Sequence, residues 1–219
     1  MAIPRRLFIA TGLFILTVGG SSTGVRANGG GQSGPQAEPR ARPDLVRQPF
    51  SGADVAFMSG MIPHHAQAVL IAGWASSHGA RPDIRILCER MVIAQRDEIE
   101  LMRNWLRDRG EPVPAENATH HRLTMNGVEH DMLMPGMLSP ENLARLDKAR
   151  GGEWDRLFLM AMIRHHEGAI TMVDELFTSH GALQDDDLFK FASDLYADQT
   201  TEIERMQKML AGADQRHPK

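Results

Sequence analysis

Apolar positions along the chain recur with a helical period in four long runs, separated by polar intervals rich in Gly, Pro and Ser. From Asp54, Val55, Ile62, His65, Val69 and Ala72 share a helix side with Met58, while Met61 lies about 60° and His64 about 120° away. This run stops at Ser76-Ser77-His78-Gly79, where glycine favours the C-terminal turn. Pro63 lies inside it and predicts a kink, because it removes one backbone hydrogen bond. Pro82-Asp83 opens a second helix with the stripe Ile84, Cys88, Met91, Gln95, Ile99, Met102 and Leu106, ended by Gly110-Glu111-Pro112. Gln95 is a polar amide in the middle of that stripe. After a long connection, Ser139-Pro140-Glu141 begins a short helix to about Arg150, which Gly151-Gly152 breaks. A third long helix is predicted from about Glu153 to Ser179, closing on His180-Gly181. Asp185 to Asp187 favour the N-terminus of the last helix, which runs to about Leu210.

The runs repeat. Positions 57–69 and 158–170 share six of thirteen residues, including Met61-Ile62-x-His64-His65 and Met162-Ile163-x-His165-His166. Gln95, Glu98, Ile99, Met102 and Leu106 match Gln199, Glu202, Ile203, Met206 and Leu210. Two duplicated helical hairpins predict an all-α four-helix bundle. The expected domain spans 51–212, with hairpins at about 54–110 and 152–211, a Met/His-rich connection at 111–151 and a tail at 213–219. That connection carries His120, His121, Met125, His130, Met132, Met134 and Met137, and so long a loop is commonly functional.

Ahead of the domain, Arg5-Arg6, the apolar run Leu7–Val18 and Val25-Arg26-Ala27 read as an export signal over 1–27. The run is too short to span a bilayer, so no membrane insertion is expected after cleavage. Residues 28–50, rich in Gly, Pro, Gln and Arg, read as a disordered linker. The protein is therefore expected to be periplasmic or extracellular. Without the signal, 21 basic residues face 28 acidic ones, which disfavours nucleic acid as a partner. The single cysteine, Cys88, excludes an intramolecular disulfide and a multi-cysteine zinc site. There is no CxxCH, phosphate-binding glycine loop or GxSxG.

Two adjacent histidine pairs, each with a methionine upstream, point to metal. Buried imidazoles need partners, and a metal satisfies one nitrogen while a neighbouring acceptor holds the other. The candidate ligands are Met61, His64, His65, Met102, Met162, His165, His166 and Met206. Gln95, Glu98, Gln199 and Glu202 are candidates for orienting the histidines, or for bonding between helices. His130, Met134 and Met137 are accessory candidates along a route for metal exchange. Thioether with imidazole suits copper, above all Cu(I), better than zinc. The Glu-x-x-His of di-iron bundles is absent, which argues against an enzyme. With ordinary imidazole pKa values, binding should weaken as pH falls through about 6.

The paired Met-Ile-x-His-His and Gln-x-x-Glu-Ile-x-x-Met motifs, with Gly136-Met137-Leu138-Ser139-Pro140-Glu141, resemble the domain-of-unknown-function 305 family from about Asp54 to Leu210. The resemblance implies a ferritin-like bundle, usually exported, with some members implicated in copper binding and resistance. It carries Met61, His64, His65, Met162, His165 and His166 onto the family motif, with Met102 and Met206 on the partner helices. Arg164 stands where the first copy has Pro63. The expected function is to sequester copper or deliver it to a copper-handling partner. The two histidine stretches are expected at opposite corners of the bundle. The alternatives are a metal- or haem-dependent redox enzyme and a helical interaction module without metal.

Overall fold

A computed structural model of the chain describes residues 48–119, 121–125 and 128–214, with only the backbone described at 121–125, 128–131 and 213–214. The expected signal, the linker up to 47, His120 and residues 215–219 lie outside the described residues. The elements are α1 (Gly52–Gly73), α2 (Pro82–Asp108), β1 (His121–Met125), β2 (Val128–Met132), α3 (Pro140–Lys148), α4 (Gly151–Thr178) and α5 (Asp186–Asp214).

The four long helices make the all-α bundle that the periodicity predicts, and each starts and stops for local reasons. Ser51 caps α1 reciprocally: its hydroxyl accepts from the Asp54 N–H, while the Asp54 carboxylate accepts from the Ser51 N–H. Pro82 and Pro140 occupy first-turn positions, where the missing N–H costs nothing. The helix runs unbroken through Pro63. Gly151 does not break α3 from α4 by itself; α3 ends at Lys148, and Gly151, with φ +57°, already begins α4. The connection holds an antiparallel hairpin in the register His121↔Met132 to Met125↔Val128, which the sequence reading had as loop.

α1 is long and apolar enough to cross a membrane, yet most of it is buried against other helices, so its apolar character belongs to the core. The core itself divides. The first half of α1 (Phe57, Met58, Met61, Ile62) packs with the second half of α2 (Ile99, Met102, Leu106), the second half of α4 (Met172, Val173, Leu176) and the start of α5. The second half of α1 packs with the start of α2 (Ile84, Cys88, Met91), the start of α4 (Trp154, Phe158, Met162) and Met206. α1 and α4 are therefore antiparallel, and so are α2 and α5, which are joined end to end. At one end the Arg81 guanidinium donates to the Met209 carbonyl at 3.0 Å, and at the other Arg109 pairs with Asp185. Two residues of the stretch expected as linker, Gln48 and Phe50, dock here. The Gln48 amide exchanges bonds with Asp186, and Phe50 meets Trp105 edge-on.

Candidate metal centre

Between the two apolar clusters lies one polar layer. His64 and His65 come from α1, Gln95 and Glu98 from α2, His165 and His166 from α4, and Gln199 and Glu202 from α5. Because α1 and α4 run antiparallel, the two histidine pairs meet in the middle rather than at opposite corners. The His64 and His165 rings approach to 3.8 Å between centroids, tilted by 39°. His65 and His166 flank them, 6.1 and 6.2 Å from their sequence neighbours. All four imidazoles are at most 1% exposed.

The inner and outer histidines are held differently. His65 Nε2–H donates to Glu98 at 2.7 Å, and His166 Nε2–H donates to Glu202 at 2.6 Å. His64 Nε2–H donates to the Pro135 carbonyl at 3.0 Å. A carbonyl or ionised carboxylate can only accept, so the proton of each neutral ring sits on Nε2 and Nδ1 carries a free lone pair. Those three Nδ1 atoms are buried without a partner, and His165 has neither nitrogen satisfied. Burial, reinforced by the neighbouring His65, depresses the His64 pKa from 6.5 to about 3. Burial and the charge of His64 lower His165 well below the ordinary imidazole range as well. The inner pair is therefore neutral, which is the metal-binding form, far below pH 6.

Residues 134–138 strap this layer from one side. The Pro135 carbonyl reaches His64, and Gln67 clamps the backbone of Leu138 through both amide atoms, at 3.0 and 2.7 Å. Gly136, with φ +79°, lies where a Cβ would come within 3.0 Å of His165 Cα, and a Cβ on Gly168 would run into the Pro135 carbonyl. The Met134 methyl fills the space over Gly60, and Met137 Sδ accepts from the Met134 N–H at 3.3 Å. Met134 and Met137 thus belong to a fitted strap at the layer. His130 lies on β2, and its side chain is outside the described residues.

The four candidate thioethers are all fully buried but divided. Met61 and Met102 lie in one apolar cluster, Met162 and Met206 in the other. Glu98 and Glu202 bond the outer histidines. Gln95 is 2% exposed with both amide atoms unpartnered, so no bond among the described residues gives it an orienting role; Gln199 is buried at the matching level. Among the described residues no three His, Cys, Asp or Glu side chains form a ready cage. The fit to a metal rests instead on bare imidazole nitrogens near buried thioethers, a donor set for soft copper, which needs few ligands. Gln67, Pro135, Gly136 and Gly168 were missed from sequence. Gln67 had a signal, being polar between Ala66 and Ala68 in an apolar run.

Comparison with known proteins follows the same lines. The model of the DUF305 family, a domain of unknown function, matches residues 54–210, and the chain belongs to that family. A candidate secreted DUF305 protein of Streptomyces coelicolor shares the fold, at 24% identity and a TM-score of 0.61 over 74% of this chain and 93% of that one. A DUF305 fragment from Deinococcus radiodurans is 26% identical with a TM-score of 0.60, covering 74% of this chain and 98% of the fragment. CopM in its Cu(II)-bound form is 26% identical with a TM-score of 0.56, covering 73% and 96%. L153, an uncharacterised protein of Acanthamoeba polyphaga mimivirus, is 34% identical over 56 residues; the match spans 26% of this chain and 37% of that relative.

Proposed function

We propose that this DUF305 protein binds copper outside the cytoplasm and holds or hands on the metal without transforming it. The observation that carries the reading is the set of buried imidazoles whose Nε2 protons are fixed outward while Nδ1 lone pairs stay bare. Buried nitrogens without partners are costly, and a soft cation is the ligand that their chemistry suits. Met61, Met102, Met162 and Met206 supply thioether donors above and below the layer. CopM, a relative of similar fold, occurs in Cu(I)- and Cu(II)-bound forms, which supports the same metal here. Export rests on the signal-like pattern of residues 1–27. Copper is the cargo, and a copper-handling protein is the natural recipient.

The test is metal analysis with anaerobic Cu(I) titration of the protein lacking residues 1–27, beside a His64→Asn/His165→Asn variant and a variant with alanine at all four histidines. Circular dichroism identifies the variants that remain folded. Copper stoichiometry should fall in the folded variants. An unchanged stoichiometry would overturn histidine ligation.

A further inference from the structure

The buried histidines leave open how an ion reaches them. On one side the strap closes the layer: Pro135 is bonded to His64, and Gly136 and Gly168 bring the strap and α4 into backbone contact. On the other side lie α2 and α5, joined at their ends through Arg81–Met209 and Arg109–Asp185. There Glu98 and Glu202 are 20% and 26% exposed, while the imidazoles they bond are 1% and 0% exposed. Each of these carboxylates therefore touches solvent on one side and a buried imidazole on the other.

Asp198, one turn before Glu202, is exposed. Partial burial and the neighbouring Glu98, Asp194 and Glu202 carboxylates raise its pKa, so all these acids crowd one place. Lys190 offsets only Asp194. Behind the acids, His65 and His166 each keep an unpartnered Nδ1, and the Gln95 amide, one turn from Glu98, is buried without any partner.

We propose that cations enter the histidine layer through a carboxylate mouth between α2 and α5, formed by Glu98, Asp198 and Glu202. This rests on the metal-binding reading and assigns its access path. The acids concentrate cations from solvent, and the two glutamates lead directly to the imidazoles they orient. Asp198 touches no histidine and serves only the field at the mouth. The strap at 134–138, part of the Met/His-rich connection expected from sequence to be the exchange route, becomes the closed wall.

The probe is Ag(I), a soft cation with no redox step, supplied as the nitrate and followed by stopped flow. At about 0.01 M ionic strength, where screening extends to about 30 Å, Asp198→Asn should load several-fold slower than wild type. Asp198→Lys should be about tenfold slower or more. Final stoichiometry and circular dichroism should stay unchanged, Asp198→Glu should restore the rate, and added sodium nitrate should remove the differences. Glu141→Lys, on α3, controls for net charge and should load at the wild-type rate. Equal rates for wild type and Asp198→Lys would overturn the mouth, as would equal slowing by Glu141→Lys. A wild-type protein that takes up no silver or copper would instead overturn the metal-binding reading itself.

Discussion

Acidification of the metal-free protein separates a buried, unprotonated histidine layer from ordinary surface imidazoles. His64 titrates near 6.5 when unfolded but only at about 3 in the fold, because burial excludes the charged ring. Between those values unfolding takes up a proton. The stabilisation is therefore complete above about 6.5 and is lost as pH falls from about 6.5 towards about 3. At pH 5, about 1.5 units below the unfolded value, His64 alone removes about 2 kcal/mol, at about 1.4 kcal/mol per unit. His165 is shifted in the same direction and adds to the loss. Urea unfolding followed by circular dichroism at pH 7.5 and 5.0 measures this. Wild type should lose about 2 kcal/mol more than His64→Asn, which keeps a donor near Pro135 but cannot titrate. Equal losses would refute the argument. The same shift removes His64 and His165 from the expectation that copper binding weakens near pH 6. With the inner pair already neutral, protonation of His64 and His165 should not weaken Cu(I) binding between pH 7.5 and 5. A tenfold loss per unit below 6.5 would mean that the ligands titrate as exposed histidines.

Four further outcomes follow from particular contacts. Gly168→Ala puts a methyl against the Pro135 carbonyl and should cost about 1–3 kcal/mol by overpacking, read as a fall in Tm. Gln67→Ala leaves the Leu138 N–H and carbonyl buried without partners, and urea melts should show about 1–3 kcal/mol lost for each. Met61→Leu/Met102→Leu should change stability by less than about 1.5 kcal/mol per site. If thioethers contribute to binding, it should weaken Cu(I) affinity roughly tenfold, about 1.4 kcal/mol, in competition with a chelator. His165→Leu removes two unpartnered nitrogens and should stabilise the metal-free protein by at least about 1 kcal/mol in urea while lowering copper uptake.

The bundle was legible because its signals are local. Every position of the stripe Ile84, Cys88, Met91, Gln95, Ile99, Met102 and Leu106 is buried, since a 3.6-residue period leaves a long helix only one face to bury. Ser51, Pro82 and Ser139 mark helix starts by chemistry that acts within one turn. The β1–β2 pairing also has a local signal in the sequence Asn126-Gly127, a dipeptide suited to two-residue hairpins. The repeat singled out the two histidine pairs but not their convergence. That required the antiparallel meeting of α1 with α4, a contact between residues about a hundred positions apart. The strap was out of reach for the same reason, because Gly136 and Gly168 reveal their purpose only once the two backbones touch.

The layer is not arranged for stability alone. In a core selected for stability, each buried imidazole would find two partners or give way to leucine, since every orphaned buried nitrogen costs about 1–3 kcal/mol. Here each available acceptor is placed on the outward nitrogen. Glu98 and Glu202 take the Nε2 protons of His65 and His166, and the Pro135 carbonyl takes that of His64. The carbonyl is in turn held by glycine contacts at Gly136 and Gly168 and, three residues on, by Gln67. These contacts fix the tautomer and orientation of rings whose inner lone pairs they leave unsatisfied. Such an arrangement lowers the reorganisation that an arriving cation would require, because the rings are already aimed by their partners. The protein carries the cost of the bare nitrogens, and a bound ion would relieve it. On the proposed metal-binding reading, binding and folding stability would be coupled at the same four side chains.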